Sequence, residues 1–322
     1  MEHLPERWDD GLLLRGLEEF GIRTEDVVHL PVGFGDHHWR VTDVDGRRWF
    51  VTVADLERKW HCGRGAREAL RGVRRAMGTA AALREDGLDF VVAPIPAASG
   101  ELVVELDDRY GLSVFPHVDG ETGEFGQALT GAERDEVIDL LARLHTRTPP
   151  PMTPRLALDP WGRDELEAAL DGPWSGGPFA EPAGELLAEH ADHVRARLAE
   201  FDRMAARVQE RGAAHVVTHG EPHPGNLLRT DDGYRLVDWD TAGLAVPERD
   251  LSLLSDDPAD LARYGERTGR AVDAEALALH RLRWTLMDLA EFVAEFRRPH
   301  TRPADLDATW EHFTETLRQL AD

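Results

Sequence analysis

Residues 217–250 carry a dense set of side chains able to do chemistry. The run Val217-Thr218-His219-Gly220-Glu221-Pro222-His223-Pro224-Gly225-Asn226-Leu227-Leu228 places an acid five positions before an asparagine, in a loop rich in glycine and proline. Tyr234-Arg235-Leu236-Val237 then reads as a strand ending in Asp238-Trp239-Asp240, and Asp231-Asp232-Gly233 supplies a hairpin turn between the two. This spacing puts Glu221 and Asn226 on one loop and Asp238 at the end of the adjoining strand. Phosphoryl transfer needs such groups close together. An acid orients an attacking hydroxyl and takes its proton, while an amide oxygen and a carboxylate hold Mg²⁺ against the phosphates. Hard oxygen donors suit Mg²⁺ rather than zinc, and the single cysteine, Cys62, builds neither a disulfide nor a cysteine metal cluster.

These residues need elements to hold them. The first ~110 residues read as a small α/β lobe. Residues 39–44 and 47–53 are strand-like, joined by Asp45-Gly46 as a hairpin, and Gly33-Phe34-Gly35 precedes the first of them. Residues 66–84 read as a helix with Gly72 and Gly78 as weak points. Residues 102–106 and 112–115 read as two short strands, so the order predicts a mostly antiparallel sheet with one packed helix. From Gly120 the chain turns helical. Residues 133–145 carry Val137, Leu140, Leu141 and Leu144 at helical spacing, and Pro149-Pro150-Pro151 forces a loop. Residues 186–211 and 277–297 read as further helices.

The two chemical runs together resemble the aminoglycoside phosphotransferase family, which groups with choline kinases and fructosamine kinases in the protein-kinase-like superfamily. That family's loop reads His-Gly-Asp-x-x-x-x-Asn, followed by Ile/Val-Asp-Trp/Phe-Asp/Glu. Here stand His219-Gly220-Glu221 with Asn226, then Val237-Asp238-Trp239-Asp240. Gly243 and Asp250-Leu251 follow in the family's places, and Leu141-Ala142-Arg143-Leu144-His145 resembles its Leu-x-x-Leu-His helix. The resemblance implies an α+β, protein-kinase-like two-lobed fold. Residues 1–112 would form a small, mostly antiparallel nucleotide-binding N-lobe with one main helix, 113–119 a hinge, and 120–322 a larger helical C-lobe with catalytic loop, magnesium site and acceptor pocket. It implies ATP and Mg²⁺ as cofactors, Asn226 and Asp238 as magnesium ligands, Glu221 as the catalytic acid, and His219 and Asp250 as braces of the loop.

The sequence departs from the pattern twice. Glu221 stands where the family has Asp; it keeps the carboxylate and adds a methylene. The strand lysine that grips the α- and β-phosphates is missing, because Thr52 occupies the matching position. Lys59, the only lysine in the chain, lies seven residues on; we expect Lys59, or Arg58 beside it, to reach back to the phosphates. Glu68, in the place of the lysine's usual glutamate partner, thereby loses that role. The loop of Gly33 and Gly35 is expected to cover phosphates with backbone N–H groups, His37 and His38 adding partial positive charge. The backbone around Phe115 and His117 is expected, by resemblance, to meet an adenine.

On the acceptor side, Asp288, Glu291 and Glu295 share one face of the last predicted helix, opposite Leu282, Leu286, Leu289, Val293 and Phe296. A carboxylate row suits an amine-bearing substrate, to which Asp240 is a further candidate contact. Trp161, Trp239 and Trp284 are candidates to stack on a ring. The formal charge of −24 repels nucleic acid and anionic membranes and attracts cations. No apolar run approaches the ~20 residues of a membrane span, and the first ten residues do not read as a signal peptide, so the expectation is a cytoplasmic protein. The expected activity moves the γ-phosphate of ATP to a hydroxyl of a small cationic molecule, aminoglycoside-like, with antibiotic resistance as the implied role. The alternatives are a kinase of a sugar, amino alcohol or nucleoside, and a pseudokinase-like binder without transfer activity.

Overall fold

The computed structural model describes Leu4 and residues 8–33, 35–300 and 304–321. Along the chain run α1 (Asp10–Glu19), β1 (Thr24–Leu30), β2 (Asp36–Asp43), β3 (Arg48–Asp55), α2 (Ala66–Glu85), β4 (Val104–Glu105), β5 (Tyr110–Pro116), β6 (Glu121–Thr122) and α3 (Gly131–His145). Then come α4 (Arg163–Asp171), α5 (Ala180–Glu189), α6 (Ala191–Glu210), β7 (Val216–Thr218), β8 (Leu227–Thr230), β9 (Gly233–Leu236) and β10 (Gly243–Ala245). The last helices are α7 (Glu248–Leu251), α8 (Pro258–Thr268), α9 (Ala274–Arg297) and α10 (Ala304–Ala321). The described residues form two compact units. One holds the chain through Leu156 together with His215–Val272; the other holds Ala157–Ala214 and the chain from Asp273.

In the first unit, five strands pair antiparallel in the order β1-β2-β3-β5-β4. The expected antiparallel sheet is therefore present. Its alternation decides which side chains stand on each face. Trp39 and Val41 of β2 and Val51 and Val53 of β3 are buried in a core with Leu13 and Leu17 of α1. Side chains alternate across a strand, so Asp36, His38 and Thr52 stand on the other face. Burying a side chain of this size stabilises by roughly 1.5–3 kcal/mol, so a one-residue slip that exchanged the faces is strongly disfavoured. The unit also holds β6, β8 and β9 as one small sheet and β7 with β10 as another.

α2 packs Leu70, Val73, Met77 and Leu83 inward. Gly72, a weak point for a helix, has a packing reason. A Cβ there would lie within 3 Å of the Cys62 backbone, so glycine lets the turn after β3 press against the helix. β2 begins three residues before the expected strand, and the predicted strand at 102–106 shortens to β4. α1 and β1 lay outside the sequence reading.

The second unit is helical. α4, α5, α6, α9 and α10 enclose Leu166, Leu187, Leu198, Phe201, Leu286, Leu289, Val293, Phe296 and Phe313. Residues 186–211 do not form the one helix expected. The chain breaks at His190, whose ring Nδ1 meets the Leu186 carbonyl at 3.0 Å and so takes up an acceptor that the next helical N–H would have used. Among the described residues no helix is long and apolar enough to cross a membrane.

Candidate active site

The segment from β7 to α7 folds as a loop stitched to its own strands. Asp250, fully buried, accepts the N–H groups of His219 at 2.8 Å and Gly220 at 2.7 Å. It also meets His145 Nε2 at 3.0 Å, and the far side of that ring meets the Tyr264 hydroxyl at 2.9 Å. Burial alone would raise the Asp250 pKa, but His145 and Arg249 outweigh it and hold the carboxyl below its ordinary value. His219 Nε2 faces the Val237 carbonyl at 2.8 Å, so it carries the proton and donates. Nδ1 then accepts the Glu221 N–H at 3.2 Å. Arg249, buried, donates to Thr218 Oγ1 and to the Thr241 carbonyl. Gly220 has φ 106°, and a Cβ there would collide with the Arg249 guanidinium. Glycine is thus required twice over at the second position of the His-Gly-Glu run.

This scaffold leaves the oxygens of three side chains without a protein hydrogen bond. Asn226 Nδ2 donates to the Glu221 carbonyl at 3.0 Å and touches His223 Nε2 at 3.3 Å, which leaves Oδ1 uncommitted. Asp238, at φ 61°, is the one non-glycine residue in the left-handed region among the described residues. Such strain clusters at functional positions. Among the described residues no protein hydrogen bond reaches the carboxylates of Glu221 or Asp238. Burial, then the Asp240 charge, pushes Glu221 up to about 7. Solvent reaches Asp238, but the protein packed around it and the Asp240 and Glu221 carboxylates push it well above the usual range, against the pull of Lys59.

The turn between β3 and α2 supplies the positive charge. Lys59 is buried, and its Nζ lies 2.5 Å from Asp240 Oδ2 and 2.8 Å from Asp36 Oδ2. Burial disfavours its ammonium, but Asp240 and Asp36 outweigh burial and keep it charged. His61 Nε2 meets the same Asp240 oxygen at 3.1 Å, and Cys62 Sγ donates to the Asp240 carbonyl. Asp240 is correspondingly held well below its ordinary pKa: burial would raise it, and Lys59 and His61 override burial.

The remaining predicted residues fall as follows. Thr52 faces the same side as Asp36 and touches His38 Nδ1 at 3.2 Å. Gly33 and Gly35 both have positive φ, and Phe34 lies outside the described residues. His37 corrects the expectation of positive charge. It points into the sheet core against Trp8 and Trp39, and burial lowers its pKa to about 4; burial and Lys59 lower His38 to about 3. Both rings are neutral at pH 7. Phe115 pairs with Phe50 inside β5, and the His117 N–H donates to the Arg48 carbonyl, so that group is taken within the protein. Glu68 pairs with Arg71. Trp239 is fully buried and donates to the Leu236 carbonyl, which makes it core rather than a stacking platform. Arg283 stacks on Trp161. In the helical unit Asp288, Glu291 and Glu295 are half-buried on α9, and Glu295 pairs with Arg298 at 3.3 Å.

The sequence profile of the phosphotransferase enzyme family, APH, matches residues 26–285. The chain belongs to this family. Protein StrN of Streptomyces griseus is 34% identical over 250 residues, 73% of this chain and 74% of that protein. Spectinomycin phosphotransferase APH(9)-Ia, solved with ADP and spectinomycin, matches with a TM-score of 0.73 at 16% identity, over 96% of this chain and 97% of that one. Choline kinase LicA from Streptococcus pneumoniae matches with a TM-score of 0.60 at 12% identity, over 96% and 99%. These likenesses show the two-lobed, protein-kinase-like α+β fold. The protein is a phosphotransferase.

The donor set of this phosphotransferase fits a hard divalent ion. Asn226 Oδ1 is uncommitted, and Asp238 is crowded by like charges that a cation relieves. Among the described residues no three His, Cys, Asp or Glu side chains form a metal cage. Mg²⁺ asks for no such cage, since it keeps several waters and is held by one or two protein groups with substrate phosphates. The sequence reading missed Asp36, His61 and Arg249. Asp250 had marked the neighbourhood of Arg249, but nothing local marks Asp36 or His61 as partners of Asp240.

Proposed function

We propose that this phosphotransferase moves the γ-phosphate of ATP to a hydroxyl of a small cationic, aminoglycoside-like molecule. The observation that carries the reading is a set of three side chains, Glu221, Asn226 and Asp238, whose oxygens accept no protein hydrogen bond among the described residues, on a segment braced by Asp250 and Arg249. Asn226 and Asp238 hold Mg²⁺, which when bound neutralises the phosphate charge. Glu221 accepts a hydrogen bond from the acceptor hydroxyl. As that oxygen bonds to the γ-phosphorus, the bond to the β–γ bridging oxygen breaks, and the hydroxyl proton passes to the Glu221 carboxylate. A carboxyl near pH 7 is matched to that task. His219 and Asp250 brace the loop.

Lys59 supplies the charge absent at Thr52. Two carboxylates engage its ammonium, which has three donors, so one remains for a phosphate oxygen. Gly33 and Gly35 cover the phosphates, and residues 113–119 act as the hinge between a nucleotide lobe, 1–112, and the acceptor-bearing lobe, 120–322. Within the hinge an adenine meets backbone groups other than the His117 N–H. Asp240, Asp288, Glu291 and Glu295 are the acidic residues we assign to a cationic acceptor, Asp240 acting through its ion pairs.

Mass spectrometry of hydroxyl-bearing cationic antibiotics incubated with the protein, ATP and Mg²⁺ tests this. Gain of one phosphoryl group on a cationic acceptor is expected. Transfer only to neutral sugars or nucleosides overturns the acceptor class, and transfer to nothing overturns the assignment of Glu221.

A further inference from the structure

The loop between β6 and α3 carries Phe125, which is 65% exposed, the most exposed of the large apolar side chains among the described residues. A single exposed phenylalanine is ordinary on a protein surface; its setting here is not. Residues 124–127 form a turn in which the Gln127 N–H donates to the Glu124 carbonyl at 3.1 Å and Gln127 Oε1 accepts the Glu124 N–H at 2.9 Å. Gly126, third in the turn, has φ 78°, the conformation a type II turn requires there, and Phe125 occupies the projecting second position. The turn is pinned to the catalytic loop, because the Gly123 N–H donates to the Pro224 carbonyl at 3.0 Å. A Cβ at Gly123 would lie 2.8 Å from Pro224 Cβ, so the two backbones meet only because the residue is glycine.

Phe125 therefore stands fixed beside the chemistry. Its ring meets His223 edge-on, centroids 5.0 Å apart at 83°. His223 Nε2 in turn lies 4.0 Å from Glu221 Oε2. Glu121 and Glu124 of the same loop are exposed. An exposed aromatic ring on a loop that also carries two exposed carboxylates is suited to an ammonium group or to the C–H face of an amine-bearing ring.

We propose that Phe125 is a specificity-determining residue of the acceptor site, packing against the ammonium-bearing part of a cationic acceptor while the acceptor hydroxyl faces Glu221. This rests on the function proposed above. The test uses the full chain with ATP and Mg²⁺ and three acceptor probes: spectinomycin, choline and aminopropanol. On whichever probe the wild type phosphorylates, F125A raises the acceptor KM roughly fivefold to thirtyfold while kcat and the ATP KM stay within about twofold, and F125W restores the KM. An acceptor KM unchanged in F125A, with the wild type active, overturns the role of Phe125 and leaves the proposed function standing. A fall in kcat that F125W does not restore also overturns it, because it marks a structural role. Failure of the wild type on all three probes removes the acceptor reading itself, and this proposal with it.

Discussion

At the scale of the residue, the site turns on Glu221, which stands where the family has Asp, and on Lys59, which we propose takes the place of the lysine missing at Thr52. The Glu221 carboxylate accepts no protein hydrogen bond among the described residues, and burial pushes it up to about 7. Glu221→Gln keeps its shape and removes the base we propose, so kcat is expected to fall on the order of 10²–10⁴-fold with little change in ATP affinity; steady-state kinetics on any accepted substrate checks this. Lys59 is a buried cation between two buried carboxylates. Lys59→Met leaves Asp36 uncompensated and Asp240 with His61 alone, which should destabilise the fold by about 3–5 kcal/mol in urea denaturation. The same variant should raise the ATP KM by about tenfold or more, the loss of one charge-assisted contact. A variant with unchanged ATP KM would remove Lys59 from the nucleotide site.

At the scale of the element, the loop that begins at His219 is held by Asp250 more than by its own sequence. Its folded pKa lies below its unfolded value. The ionised carboxylate therefore stabilises the fold at pH above the unfolded value, about 3.9, and the contribution is lost as pH falls through the folded one. Asp250→Asn should be less stable than the wild type by about 3 kcal/mol at pH 7, and the gap should narrow in denaturation below about pH 4. The elements also show what the sequence made legible. The β2–β3 hairpin announced itself through Asp45-Gly46, the β8–β9 hairpin through Asp231-Asp232-Gly233, and the catalytic loop through its Gly and Pro punctuation, because turn chemistry is local. The break at His190 stayed hidden, since a side chain competing for one carbonyl leaves the helical period intact. The pairing of Lys59 with Asp240 stayed hidden because 181 residues separate the partners. His37 does not carry the charge expected of it because the alternation that buries Trp39 and Val41 buries it too.

At the scale of the whole molecule, 61 acidic against 37 basic residues give a field that draws cations toward the surface. If the acceptor is cationic, its KM should rise several-fold between roughly 0.05 and 0.5 M salt, while a neutral acceptor's should stay nearly flat; parallel kinetics on the two separates steering from contact. The same composition has a consequence for covalent chemistry. The chain contains one ε-amine, and it sits 6% exposed between Asp36 and Asp240. An amine-acylating reagent thus has one lysine to modify, and can reach it only while the turn after β3 is open. Peptide mapping should find acylation of Lys59 slow in the free protein, faster in Asp240→Asn, and the measured rate becomes a clock for the opening of that turn.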